Sequence, residues 1–283
     1  MARNATPTDL VITPRNRRFR DTPGRARWWM ADNAYATAWH NALSVTFPAG
    51  ETFFIESVRR FQKDVPQHLA AQIKDFARQE AFHTREHNAF NERVINDGYD
   101  VRAALQHVED RLAEAREGHP VAQLSITVSL EHFTAIFAHL ALKDASLYGN
   151  TDHESQRMWL WHAIEEVEHK SVAFDTYAHV MRDEKPLKRW AIRCAVFARV
   201  SKDFIIRRWV ESLDLLAQDG ITGLKARAGL AWYLWGRPGI LRRVVLSWLA
   251  YFQPGFHPWQ VDDRHLIANT EARLDLAEPV AAE

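Results

Sequence analysis

Gln79-Glu80-Ala81-Phe82-His83-Thr84-Arg85-Glu86-His87 decides the fold, because its ionisable residues keep a helical period inside an apolar stripe. Phe76, Glu80, His83, His87 and Phe90 recur at steps of three and four, so a helix stacks them on one face. Trp161-His162-Ala163-Ile164-Glu165-Glu166-Val167-Glu168-His169 repeats the device, with Trp159, His162, Glu166, His169 and Ala173 on one face. Both stripes contain Glu-x-x-His, as Glu80 to His83 and Glu166 to His169. A carboxylate set in an apolar face must find a partner inside the protein, since an isolated buried charge is prohibitively costly.

Outward from these stretches the 3.6-residue period persists, and proline and glycine fall where helices start or stop. The pattern predicts an irregular arm over residues 1–49, broken by Pro7, Pro14, Pro23 and Pro48, with a short helix around Trp28 to Asn41. A bundle over 50–185 follows, with helices from about Glu51 to Lys63, Pro66 to Gly98, Pro120 to Gly149 and Asn150 to Pro186. A polar crossover helix spans about Val101 to Glu117. A helical extension over 186–283, packed on the bundle, is broken at Gly220, Gly223 and Gly236 to Gly239. The fold class is therefore all-α: a ferritin-like four-helix bundle with a crossover helix and additional C-terminal helices.

The two remaining bundle helices each offer an inward glutamate. Glu131 is the ionisable member of the stripe Leu124, Val128, Glu131, Ala135, Ala138. In the first helix Glu51 lies with Phe54, Ile55, Val58 and Phe61, whereas Glu56 lies with Thr52, Arg59, Arg60 and Lys63, which favours Glu51. The order Glu, Glu-x-x-His, Glu, Glu-x-x-His is that of di-iron and di-manganese bundles. Two divalent cations would neutralise four carboxylates that otherwise repel one another. A donor set of carboxylates and imidazoles suits iron first, then manganese, with zinc a further alternative. His162 either binds the metal nearest Glu166 or lines the pocket. His87, Glu165 and Asp175 are candidates to support the ligands from behind, although Glu165 and Glu168 read by default as surface-facing. His132 and His139 read as satisfied buried or interfacial residues.

Composition narrows the partners. The 36 basic and 36 acidic residues cancel, which gives no global field for nucleic acid. The single cysteine, Cys194, excludes an internal disulfide and any multi-cysteine metal site, and a cytoplasmic location is expected. The arginine-rich first 27 residues read as a surface arm in preference to a transit peptide. Ala231-Trp232-Tyr233-Leu234-Trp235 with Arg237, Arg242 and Arg243 suggests an interfacial surface for peripheral membrane contact. A small organic substrate, an electron donor and a homodimer complete the expected partners.

Four segments also resemble a known family: Phe47-Pro48-Ala49-Gly50-Glu51, Gln79-Glu80-Ala81-Phe82-His83, Leu130-Glu131-His132-Phe133-Thr134 and Trp161 to Lys170. They look like the bacterial predicted metal-dependent hydrolases, over about Pro14 to Trp259. The ligand pattern is also similar, over the bundle alone, to the di-iron arylamine N-oxygenases of the ferritin-like superfamily. That resemblance implies Glu51, Glu80, His83, Glu131, His162, Glu166 and His169 as ligands of an oxygen-activating site. The expected activity is an oxygen-dependent oxidase or oxygenase acting on an apolar or aromatic substrate, ahead of a metal-dependent hydrolase and of a non-enzymatic metal-storage or interaction protein.

Overall fold

Asn33 starts the first helix by accepting hydrogen bonds from the Tyr35 and Ala36 amides at 3.0 and 3.1 Å. The computed structural model describes residues 5–20 and 25–274. Asp21 and Pro23 of the predicted arm, and residues 275–283 of the predicted extension, lie outside the described residues. The helices are α1 Ala34–Arg59, α2 Gln67–Asn96, α3 Arg102–Arg116, α4 Pro120–Lys143, α5 His153–His169, α6 Val172–Val180, α7 Pro186–Gln218, α8 Gly223–Ala231, α9 Ile240–Ala250 and α10 Arg264–Leu274. A π-helical turn, Trp232–Gly236, joins α8 to α9. Among the described residues there is no strand, only an isolated antiparallel bridge between Met30 and Thr151.

Four helices close a ring: α1 packs on α2, α2 on α5, α5 on α4 and α4 on α1. Phe53, Phe76, Phe90, Leu124 and Met158 of these helices are fully buried, and each contributes about 2 kcal/mol by leaving water. The crossover helix α3 lies against α1, α7 covers α1 and α4, and α9 and α10 pack on α4. One described helix, α4, is long and apolar enough to cross a membrane by length and composition, and most of it is buried in the ring.

The structure corrects three helix boundaries. The expected break at Pro48-Ala49-Gly50 is absent, and α1 runs through it, so one helix crosses the division expected at residues 49–50. Pro48 cannot donate to the Ser44 carbonyl; Asn91 Nδ2 donates to that carbonyl instead, at 3.1 Å. The Ala42 carbonyl likewise accepts from Arg208 of α7 at 2.5 Å. Side chains from neighbouring helices therefore stabilise a turn that sequence reasoning reads as broken. The helix expected to run on to Gly149 ends at Lys143, where Asp144 caps a short 3-10 turn, Ala145–Tyr148. The helix expected over 150–185 is two, α5 and α6, interrupted at Lys170 and Ser171. There Lys170 Nζ reaches Val261 O and Asp263 Oδ2 at 2.8 and 2.7 Å, and Trp259 Nε1 donates to Ser171 Oγ at 3.0 Å.

Candidate metal centre

Each helix of the ring carries its predicted ionisable residue inward. Glu51 on α1, Glu80 and His83 on α2, Glu131 on α4 and His162, Glu166 and His169 on α5 are all buried. Glu51, Glu80 and His83 bring ligand atoms within 4.8 Å of one another, and so do Glu80, Glu131 and His169. Glu80 belongs to both triplets. Glu166 lies between them, 3.5 Å from His83 Nδ1 and 3.4 Å from His169 Nε2. Glu56 points outward and pairs with Arg116 at 2.8 Å, so Glu51 is the inward glutamate of α1.

Nearly every atom that faces the middle of this cluster is unsatisfied. Glu51 Oε1, both oxygens of Glu80 and Glu131, Glu166 Oε2, His83 Nδ1 and His169 Nε2 are buried without a hydrogen-bond partner among the described residues. His169 Nε2 and Glu80 Oε1 approach to 3.1 Å yet do not meet in hydrogen-bond geometry. Orphaned buried carboxylates are rare because each costs its full desolvation. Converging on a common centre, they fit a cation.

Protons balance the charge when no metal does. Burial pushes Glu51 well above the usual carboxylate range, with Glu80 and Glu166 adding to the effect. Burial raises Glu131 likewise, against the pull of His169. Burial alone would lower the histidines, but the hydrogen bond to Glu165 and the nearby Glu80 carboxylate bring His83 to about 10, and Glu166, Glu131 and Glu80 raise His169. Burial also opposes ionisation of Glu80 and Glu166, yet His169 outweighs it and holds both below the usual range.

The outer nitrogens of the two Glu-x-x-His histidines are fixed. His83 Nε2 donates to Glu165 Oε2 at 3.0 Å, and His169 Nδ1 donates to Gln79 Oε1 at 2.9 Å. Each ring thus turns its other nitrogen to the centre. Glu165 and Glu168 are buried, contrary to the surface-facing default, because the arm returns to cover them. The Arg15 amide donates to Glu165 at 2.7 Å, the Thr13 amide to Glu168 at 3.0 Å, and the Arg15 guanidinium to Glu168 at 2.6 Å. Gln79 Nε2 also donates to Glu168, at 2.8 Å.

A chain of hydrogen bonds sets the third imidazole. Asn91 gives its amide nitrogen to the Ser44 carbonyl, an acceptor only, so its Oδ1 must face Ser44 Oγ, 2.7 Å away. Ser44 donates there and accepts from His87 Nδ1 at 2.8 Å. His87 Nε2 is then an acceptor for His162 Nδ1 at 2.6 Å. Burial holds both rings neutral, His87 well below its ordinary pKa and His162 lowered. His162 Nε2 is left without a proton, 2.8 Å from Glu166 Oε1. Two acceptors meet, and a cation shared by both relieves them.

Several partners were beyond sequence reasoning: Gln79, Ser44, Asn91 and the arm residue Arg15. Asp175 does not reach a ring histidine; it accepts from Thr6 Oγ1 at 2.5 Å and His257 Nε2 at 2.9 Å, because the break at Lys170 and Ser171 ends the α5 stripe. His132 and His139 are satisfied by the Ser247 carbonyl and Asp263, at 3.2 and 2.8 Å. A cavity of about 450 Å³ is lined by Glu51, His162 and Glu166 and walled by Phe47, Phe54, Leu130 and Phe133. Its partly exposed lining residues, among them Arg111, Glu114, Arg199, Asp203 and Arg207, mark the opening.

The model of a family described as predicted metal-dependent hydrolases matches residues 13–262. The chain belongs to that family. The metal-dependent hydrolase match takes in the arm from Thr13, the whole ring and the helices as far as α9, so every residue of the cluster lies inside it. No curated protein and no solved structure matches the chain.

Proposed function

We propose that the chain is a dinuclear metal enzyme that holds two divalent ions, iron in preference to manganese or zinc, through Glu51, Glu80, His83, Glu131, His162, Glu166 and His169. The observation that carries the reading is the convergence of unpartnered buried oxygens and nitrogens in two triplets that share Glu80. Four carboxylates with neutral imidazoles and no thiolate suit iron or manganese. The ring and its ligand order agree with ferritin-like bundles, and we extend the reading to that superfamily.

Within this reading the reaction is an oxygen-dependent oxidation of an apolar or aromatic molecule bound in the cavity. A bound iron pair supplies the redox chemistry toward dioxygen, with electrons from an external donor. The chain supplies the rest: Phe47, Phe54, Leu130 and Phe133 exclude water and hold the substrate beside Glu51 and Glu166. Iron-loaded protein should consume oxygen after reduction, and faster with small aromatic or aliphatic compounds present. An electrode trace that stays flat after reduction removes the oxidation reading.

A second reading follows from the family description, in which the same ions activate a water molecule for hydrolysis. It expects anaerobic turnover of ester or phosphoester substrates without a reductant. The chain has no Gly-x-Ser-x-Gly segment, so such a hydrolysis would rest on the metal centre.

A further inference from the structure

Residues 221–261 contain Lys225, Arg227, Arg237, Arg242 and Arg243 and no aspartate or glutamate, in a chain whose charges cancel overall. Arg243 pairs with Asp144 at 2.7 Å, whereas Lys225, Arg227, Arg237 and Arg242 are exposed. Large apolar side chains stand out among them: Leu224 is 83% exposed, Leu246 80%, Trp232 64% and Trp235 51%.

The exposed apolar residues lie on two adjoining helical stripes. Leu224, Ala228, Trp232 and Trp235 follow at helical steps along α8 and the π turn. The Trp232 ring lies over Gly236, where an added Cβ would meet it at 2.5 Å. Arg242 donates to the Trp235 and Gly236 carbonyls at 3.0 Å each, which brings α9 alongside. Arg242, Leu246 and Leu249 form the second stripe, exposed at helical steps along α9.

We infer that this face docks the protein onto an anionic lipid surface. Tryptophan and arginine are the side chains that settle at the headgroup level, with the ring or stem in the acyl boundary and the polar end in water. Leu224 and Leu246 add apolar area to insert, and the basic residues supply attraction to acidic headgroups. A second copy is a poor occupant, because an isologous contact would bring the same basic residues face to face. Ile240, the first residue of α9, also lines the cavity, so the docked face and the cavity share an element.

The test is co-sedimentation of the full chain with phosphatidylcholine vesicles, with and without phosphatidylglycerol. Binding is expected to the acidic vesicles only, and to weaken with salt. A basic residue near an anionic surface strengthens association about fivefold, so Lys225→Ala/Arg227→Ala should lose about twenty-five-fold. Trp232→Ser/Trp235→Ser should lose most of the binding, while circular dichroism and metal content stay as in the unmodified chain because both rings are exposed. Failure to sediment with acidic vesicles at low salt overturns the inference. So does unchanged binding by both variants, or equal binding to neutral vesicles. A concentration-dependent dimer that the tryptophan variant abolishes would assign the face to a second copy and overturn it as well.

Discussion

Glu131 brings two oxygens into the interior of the ring and has, among the described residues, a hydrogen-bond partner for neither. Burial pushes its carboxyl well above the usual carboxylate range, with Glu80 and Glu166 adding to the rise against the pull of His169. Its presence is therefore a cost to the fold, one that a ligand role would offset. Glu131→Leu keeps the volume and removes the orphaned atoms. The chelated variant should resist urea better than the chelated parent, by about 1–3 kcal/mol, while its metal content falls. If the variant unfolds earlier and keeps its metal, Glu131 is a structural residue and the ligand set is misassigned.

At the level of the helix, Pro48 links backbone to metal chemistry. A proline inside a helix costs about 3 kcal/mol, and α1 retains one four residues after Ser44. The freed Ser44 carbonyl orients Asn91, and through Ser44 Oγ and His87 that orientation leaves His162 Nε2 bare. Pro48→Ala should restore the helix hydrogen bond, displace the Asn91 amide and loosen the control of the His162 tautomer. Metal affinity by chelator competition should fall about tenfold, as support residues of this kind do, even though the melting temperature rises. Asn91→Leu should match the loss of affinity without the gain in stability, and unchanged affinity in both variants would sink the coupling. The same residues show where sequence reading ends. Glu80, His83, Glu166 and His169 were legible because Glu-x-x-His and its stripe are local to one helix. Periodicity alone separates Glu51 from Glu56. Asn91 and Ser44 carry no such signal, since their role depends on which helices face each other, and Pro48 sends a misleading one. Lys170 and Ser171 end α5 without a glycine or proline, because the partners that stop the helix, Trp259 and Asp263, come from far along the chain.

For the molecule as a whole, metal loading is an exchange of charge. In the metal-free centre Glu51 and Glu131 hold protons by burial, and His83 and His169 hold them against burial through their carboxylate neighbours. In the proposed dinuclear centre two divalent ions would replace these, so binding should release about four protons. Because protons are released, raising the pH favours loading and acid strips the metal. A pH-stat titration with ferrous or manganous ion measures the number directly, and a release near zero would mean that the carboxylates are already ionised and paired. All-α architecture and the four helices of the ring were legible from the 3.6-residue period, while punctuation misplaced the start of α1 and the ends of α4 and α5. The covering helices were legible only as far as α9, and α10 was not anticipated. The hydrogen bonds from Thr13 and Arg15 to Glu168 and Glu165 have a further consequence for how the protein comes into being. On the ribosome the arm emerges before α5, and the carboxylates that receive it are made roughly 150 residues later. Until α5 has been made, neither the backing of His83 nor the fourth wall of the ring exists. A nascent chain stalled before Glu165 should therefore take up no metal, and completion of α5 should be the moment at which the centre closes.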